Sequence, residues 1–186
     1  MKTATATLES ISTYGQSKHY EVPKKAKENA KDYEERTWRE RCHYDKEGLL
    51  FIPPMQFKKC IENAGKYLNM QIPGKGKSTY SKHIKSGILV VDGITLPVKK
   101  ENVDSCCLFV PSDGRTGGTT RVSKSFPMIS EWKGKITFHI LDDIITEDVF
   151  ETHLKEAGNF IGIGFFRPER GGYWGRFKVN KIDWNE

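Results

Sequence analysis

Polar and apolar residues alternate over 3–11, TATATLESI, and this Thr-rich, two-residue period predicts a strand. The period recurs at 133–141, KGKITFHIL, where Ile136, Phe138 and Ile140 share a side. GLLFI at 48–52 reads as a short buried strand, and SCCLFVP at 105–111 is a continuous apolar run of strand length. GILVVDGITLPV, at 87–98, is strand-like with a break near Asp92 and Gly93. A helical period replaces these over 54–69, where Phe57, Cys60, Ile61, Ala64, Tyr67 and Leu68 recur at i, i+3, i+4 and i+7. Pro53 and Pro54 stop the preceding strand, and a proline is tolerated in a first helical turn, whose N–H has no partner anyway. A second helix opens at Thr146, a candidate N-cap, with Glu147 and Asp148 where the helix dipole favours anions. Its apolar side is Val149, Phe150, His153, Leu154 and Ala157, and Gly158 stops it. A closing strand follows over about 175–183.

Two strand–helix units with short connections predict an α+β fold, a ferredoxin-like or RRM-like antiparallel sheet with two packed helices and long basic loop insertions. We expect one domain over 1–186, with a charged insertion at 12–47 and a basic loop at 71–86. The 186 residues, 37% hydrophobic and 11% aromatic, suffice for one core and exclude disorder along the whole chain. No apolar run approaches the roughly 18 to 20 residues that span a bilayer. MKTATATLES has no hydrophobic signal region, so a cytoplasmic protein without membrane partners is expected. Cys42, Cys60, Cys106 and Cys107 form no CxxC pair, which argues for reduced thiols and neither metal nor cofactor.

Charge narrows the function. The net formal charge is +6, and it is segregated: 74–85 hold Lys75, Lys77, Lys82 and Lys85 without an acid. Residues 141–157 hold Asp142, Asp143, Glu147, Asp148, Glu151 and Glu156 against Lys155 alone. Three basic loops are candidate polyanion contacts. The first, IGIGFFRPERGGYWGRFKV, sets five glycines among Arg167, Arg170 and Arg176. Its Gly171, Gly172 and Gly175 would let backbone amides approach a phosphate, and Tyr173 and Trp174 would stack on unpaired bases. The alternative is a glycine-rich hairpin with its aromatics in the core and its arginines in solvent. In the second, GKGKSTYSKHIK, Tyr80 and His83 interleave with the lysines, a mixture suited to a single-stranded backbone and one stacked base. A solvated lysine loop is the bland reading there. The third, SDGRTGGTTRVSK, offers Arg115, Arg121 and Lys124 beside glycines. The three are expected to converge on one face.

KITFHIL, TEDVFETHLKEAG and GGYWGRFKV together resemble the closing half of the RAMP superfamily of CRISPR-associated RNA-binding proteins. GLLFIPPMQFKKCIENAGKYL is similar to the strand, proline turn and helix of CRISPR effector backbone subunits. The whole also looks like proteins encoded by tailed bacteriophages. The resemblance implies an RRM-like fold, RNA held along its backbone, and assembly of like subunits. By position it assigns Gly171, Gly172, Gly175 and Arg176 to the glycine-rich loop and places Lys58 and Lys59 near the RNA path.

The combined expectation is a non-enzymatic protein gripping single-stranded RNA, with self-association or a host protein complex as further partners. Two alternatives stand. One is an interaction protein using the mixed-charge stretch YEERTWRERCHY, whose Glu34, Glu35, Arg36, Arg39, Glu40 and Arg41 can pair at i,i+4 while Trp38 and Tyr33 anchor. The other is a metal-independent ribonuclease with His83 as base. Asp142 and Asp143 are more simply partners of the helix that follows them.

Overall fold

The Thr-rich start forms β1 (Lys2–Ser10), which buries Ala4, Ala6 and Leu8 and turns its threonines the other way. The computed structural model describes residues 1–112 and 119–185. Next come β2 (Tyr14–Gly15), α1 (Ala30–Thr37), β3 (Leu49–Ile52), α2 (Pro54–Leu68), α3 (Ser81–Gly87) and β4 (Ile88–Val90). The chain continues through β5 (Ile94–Lys99), β6 (Asp104–Pro111), β7 (Arg121–Ile129), β8 (Lys133–Ile140), α4 (Glu147–Glu156) and β9 (Phe177–Asn185).

The main sheet has the order β4-β8-β1-β9, with every neighbouring pair antiparallel. With α2 between β1 and β4, and α4 between β8 and β9, this is the β-α-β-β-α-β arrangement of a ferredoxin-like fold. Both helices bury their apolar stripes on one sheet face. Phe57 of α2 meets Trp132 and Phe177 edge-on at 6.2 and 5.9 Å, and Phe150 of α4 meets Phe138 and Trp184 at 5.2 and 5.5 Å. Each such side chain contributes about 1.5–3 kcal/mol by leaving water.

The insertions build two side sheets, β2-β7-β6 and β3-β5. The apolar runs at 48–52 and 105–111 are therefore strands, but outside the main sheet. The break at Asp92 and Gly93 is a change of sheet, β4 pairing with β8 and β5 with β3. A Cβ on Gly93 would lie 2.4 Å from the Ile52 carbonyl oxygen, so the crossing is tight. β7 contains Pro127, which in sequence argues against a strand. Its carbonyl nonetheless accepts the Gln16 N–H at 3.0 Å.

The charged insertion packs on the body. Gln16, fully buried, donates to the Phe51 carbonyl at 2.9 Å and accepts from the His43 N–H at 2.7 Å. Arg41 grips Glu34 through two bonds of 2.7 and 3.0 Å and also donates to the Ser125 carbonyl on β7. Of the i,i+4 pairs expected here, only Glu35 forms one, with Lys31 at 3.9 Å. Arg36 reaches Glu28 and Glu40 reaches Lys100, because α1 ends at Thr37 and the chain tightens into a 3-10 turn at Trp38–Arg41.

Candidate nucleic-acid interface

The glycine-rich loop leaves α4 through a π turn at Ala157–Ile161 and folds back on itself. The amides of Gly171, Gly172, Trp174 and Gly175 donate to the carbonyls of Pro168, Arg167, Phe166 and Thr13. They are thus consumed by the fold, which corrects the expectation of an amide cradle for phosphate. A Cβ on Gly172 would sit 1.8 Å from the Phe166 carbonyl oxygen, and one on Gly175 1.8 Å from that of Ile163. Close backbone packing demands these two glycines. Arg176 donates to the carbonyls of Asn159 and Tyr173, and Arg167 pairs with Glu169 at 2.8 Å, so both are largely occupied. Trp174 is half-buried against Gly15 and Phe165, while Tyr173 is 73% exposed.

The loop borders two grooves. Tyr173, Trp174 and Arg176 line one of about 940 Å³ with Trp132 and Lys133. Arg167, Arg170 and Phe166 line another, of about 560 Å³, against the first half of α2. Here α2 contributes Met55, Lys59 and Asn63, and its N-terminus at Pro53 carries no side-chain cap. Asn63 ties the two walls together by donating to Glu169 at 2.6 Å. Phe166 and Met55 remain 40% and 68% exposed. Below them Cys60 donates its Sγ–H to the Ala157 carbonyl, and burial pushes its thiol well above the ordinary range, so it is inert packing.

The second basic loop is partly a helix. α3 presents Lys82 and Lys85 to solvent, and Lys75 and Lys77 are exposed on the turns before it. Tyr80 is a correction: only 6% exposed, it packs edge-on against buried His153 and has no face for a base. Lys58 is another. Its Nζ donates to the carbonyls of Ile84 and Lys85 and pairs with Glu62, holding α3 against α2. Its neighbour Lys59 also reaches Glu62, at 3.4 Å, but stays exposed along the groove. His83 sits on α3 with Nδ1 2.7 Å from Asp142 Oδ2, and that contact holds the Asp142 carboxyl below its ordinary range. Asp142 also accepts the Ile144 N–H just ahead of α4, while Thr146 caps the helix as expected.

The third basic loop is a hairpin of β6 and β7. Arg115 lies outside the described residues. Arg121 and Lys124 line a groove of about 1050 Å³ whose opposite wall is the charged insertion, with Lys18, Lys24, Lys31 and Tyr33. The sequence reading missed these lysines, because only the packing of residues 17–35 over β7 brings them there.

The single convergent face is not what forms. Lys58 and Gly65 of α2 face α3, whereas Cys60 and Asn63 face the glycine-rich loop. At 100° per residue those are roughly opposite flanks of one helix. None of the three grooves is lined by residues 71–86. No helix among the described residues is long and apolar enough to cross a membrane.

No protein-family model matches the sequence, and no curated protein matches it. Among solved structures the chain is similar to the crystal structure of Cmr6 from Pyrococcus furiosus, at 14% identity and a TM-score of 0.49, over 96% of this chain and 99% of that one. It is also similar to a chain of a CRISPR RNA-guided surveillance complex, at 7% identity and a TM-score of 0.38, over 98% of this chain and 68% of that one. The fold assignment rests on the strand order.

Proposed function

We propose that the protein is a non-enzymatic nucleic-acid-binding protein that holds single-stranded RNA in the groove between α2 and the glycine-rich loop. The observation that carries this is the joining of three features in one cleft. They are an uncapped helix N-terminus, the exposed cation Arg170 with Lys59, which also touches Glu62, and the exposed ring of Phe166. The first two suit phosphate and the third suits a stacked base. RNA, and assembly of like subunits along it, are what the resemblance to RAMP proteins implies.

The test is anisotropy of a labelled 20-nucleotide RNA across a salt series. Affinity falls with salt at a slope of about 0.7 per phosphate neutralised. Lys59→Glu with Arg170→Glu lowers affinity about tenfold or more at low salt, while Lys58→Ala acts on stability instead. Absence of binding to any RNA at low salt ends the proposal. A second reading, metal-independent RNA cleavage, rests on the carboxylate-oriented imidazole of His83. It is the lesser reading, since His83 lies across α2 from the groove; cleavage that survives His83→Ala removes it.

A further inference from the structure

The hairpin groove has a feature that RNA does not match. β6 is the edge of its sheet and pairs with β7 in unbroken register from Asp104↔Met128 to Pro111↔Arg121. The Ser112 N–H bonds the Thr120 carbonyl at 2.9 Å, which sets the phase of the ladder. Alternate residues of an antiparallel strand turn their main-chain groups outward, so Ser105, Cys107 and Phe109 present theirs to the free edge. Arg121 confirms the direction by donating to the Phe109 carbonyl at 3.3 Å. Natural edges are blunted by lysines, prolines or bulges. β6 reads DSCCLFVP: it has no lysine and no bulge, and its proline comes only at the end.

Side chains sharpen the picture. Cys107 and Phe109 share a face with Ser125 and Ser123, and that face floors the 1050 Å³ groove. Phe109 is 63% exposed. Lys24, Lys31 and Arg121 line the same groove. Of the two wall carboxylates, Glu34 is neutralised by Arg41 and by the Ser125 N–H at 2.8 Å, and Glu35 lies 3.9 Å from Lys31. The groove is therefore cationic, with an apolar ring in its floor and, among the described residues, edge peptide groups at Ser105, Cys107 and Phe109 of which only the Phe109 carbonyl is engaged, by Arg121.

We infer that this groove binds an extended acidic segment of another protein, which adds as a strand to the β6 edge. Main-chain bonds to Cys107 and Phe109 would set its register, Phe109 would receive an apolar side chain, and Lys24 and Lys31 would meet its carboxylates. A polynucleotide satisfies the cations but leaves the outward carbonyls of the edge without donors in register. The inference is independent of the RNA proposal.

The experiment measures binding of a labelled octapeptide of alternating Glu and Val to the full chain, with a Lys–Val octapeptide as control. Amide hydrogen exchange is followed in parallel. The expected result is saturable binding of the acidic peptide only, with slowed exchange at Cys107 and Phe109. Phe109→Ala, or Lys24→Glu with Lys31→Glu, lowers affinity about tenfold. Cys107→Pro removes an edge N–H that β7 does not use and abolishes binding; if that variant fails to fold, the exchange data on the wild-type chain decide alone. No binding, equal binding of the basic peptide, or binding without slowed exchange at those two amides overturns the inference. Slowed exchange of the same amides by a 20-nucleotide RNA, with displacement of the peptide, also overturns it.

Discussion

The glycine-rich loop and the charged insertion exchange roles between sequence and structure. The loop, with its glycines and arginines, resembles an anion cradle, yet its amides close on carbonyls of the fold, three of them its own and one that of Thr13, and Arg167 and Arg176 are bonded within the fold. The insertion reads in sequence as a mixed-charge stretch with a Tyr33 and Trp38 anchor for another protein, yet its lysines supply one wall of the largest of the three grooves. A polar group serves a ligand only when folding has not already satisfied it. Residue type states what a group can do, and its partners state whether it is available.

The sharpest way to break the comparison is at Gly175. It has φ 79° and a neighbouring carbonyl where a Cβ would go, so Gly175→Ala is expected to cost about 4 kcal/mol, read by thermal unfolding. An unchanged melting temperature would show that the loop backbone is not packed as tightly at Gly175 as its geometry requires. The insertion is probed by Glu34→Gln. Glu34 and Arg41 are 16% and 8% exposed, and removing one charge strands the other beside β7. A loss of about 3 kcal/mol in denaturant unfolding is expected.

Acid supplies a third test. Burial holds His153 and His43 below the ordinary imidazole value of 6.5. Below that pH the unfolded chain takes up protons that the native chain does not, so stability declines as pH falls from 6.5 toward the native values. The slope is at most about 1.4 kcal/mol per pH unit for each imidazole. The carboxyls of Glu40 and Glu28, held down by Lys100 and Arg36, with Glu28 at about 2, withdraw their contributions only below the ordinary 4.5. Melting temperatures at pH 7.5 and 5.5 read the imidazole effect, and His153→Phe should flatten the difference. The smallest effect belongs to Gly171. Its φ is 75° but nothing lies within 4 Å of its would-be Cβ, so Gly171→Ala costs only about 1 kcal/mol.

Much of the core was legible because local period and burial coincide. The stripe from Phe57 to Ala64 and the alternations in β1 and β8 read directly as helix and strands facing one interior. α3 was missed because SKHIKSG has no apolar stripe of its own; Ile84 docking on Gly65, and Lys58 reaching its last carbonyls, make it a helix. β7 is not legible in sequence because Val122, Phe126, Met128 and Ile129 alternate only weakly, and pairing with β6 and β2 completes the strand. Among the site residues, Arg121 and Lys124 were legible as hairpin cations. Lys24 and Lys31, 90 or more positions away, were not legible as their companions.

By itself, the sequence determined the α+β class, the two main helices, the main-sheet strands and the excess of positive charge, since these follow from spacing and residue type within short windows. Tertiary structure alone decided which cations stay free, which aromatics face outward and which loops share a groove. Those outcomes depend on hydrogen bonds and contacts between residues far apart in the chain, and no local pattern encodes them.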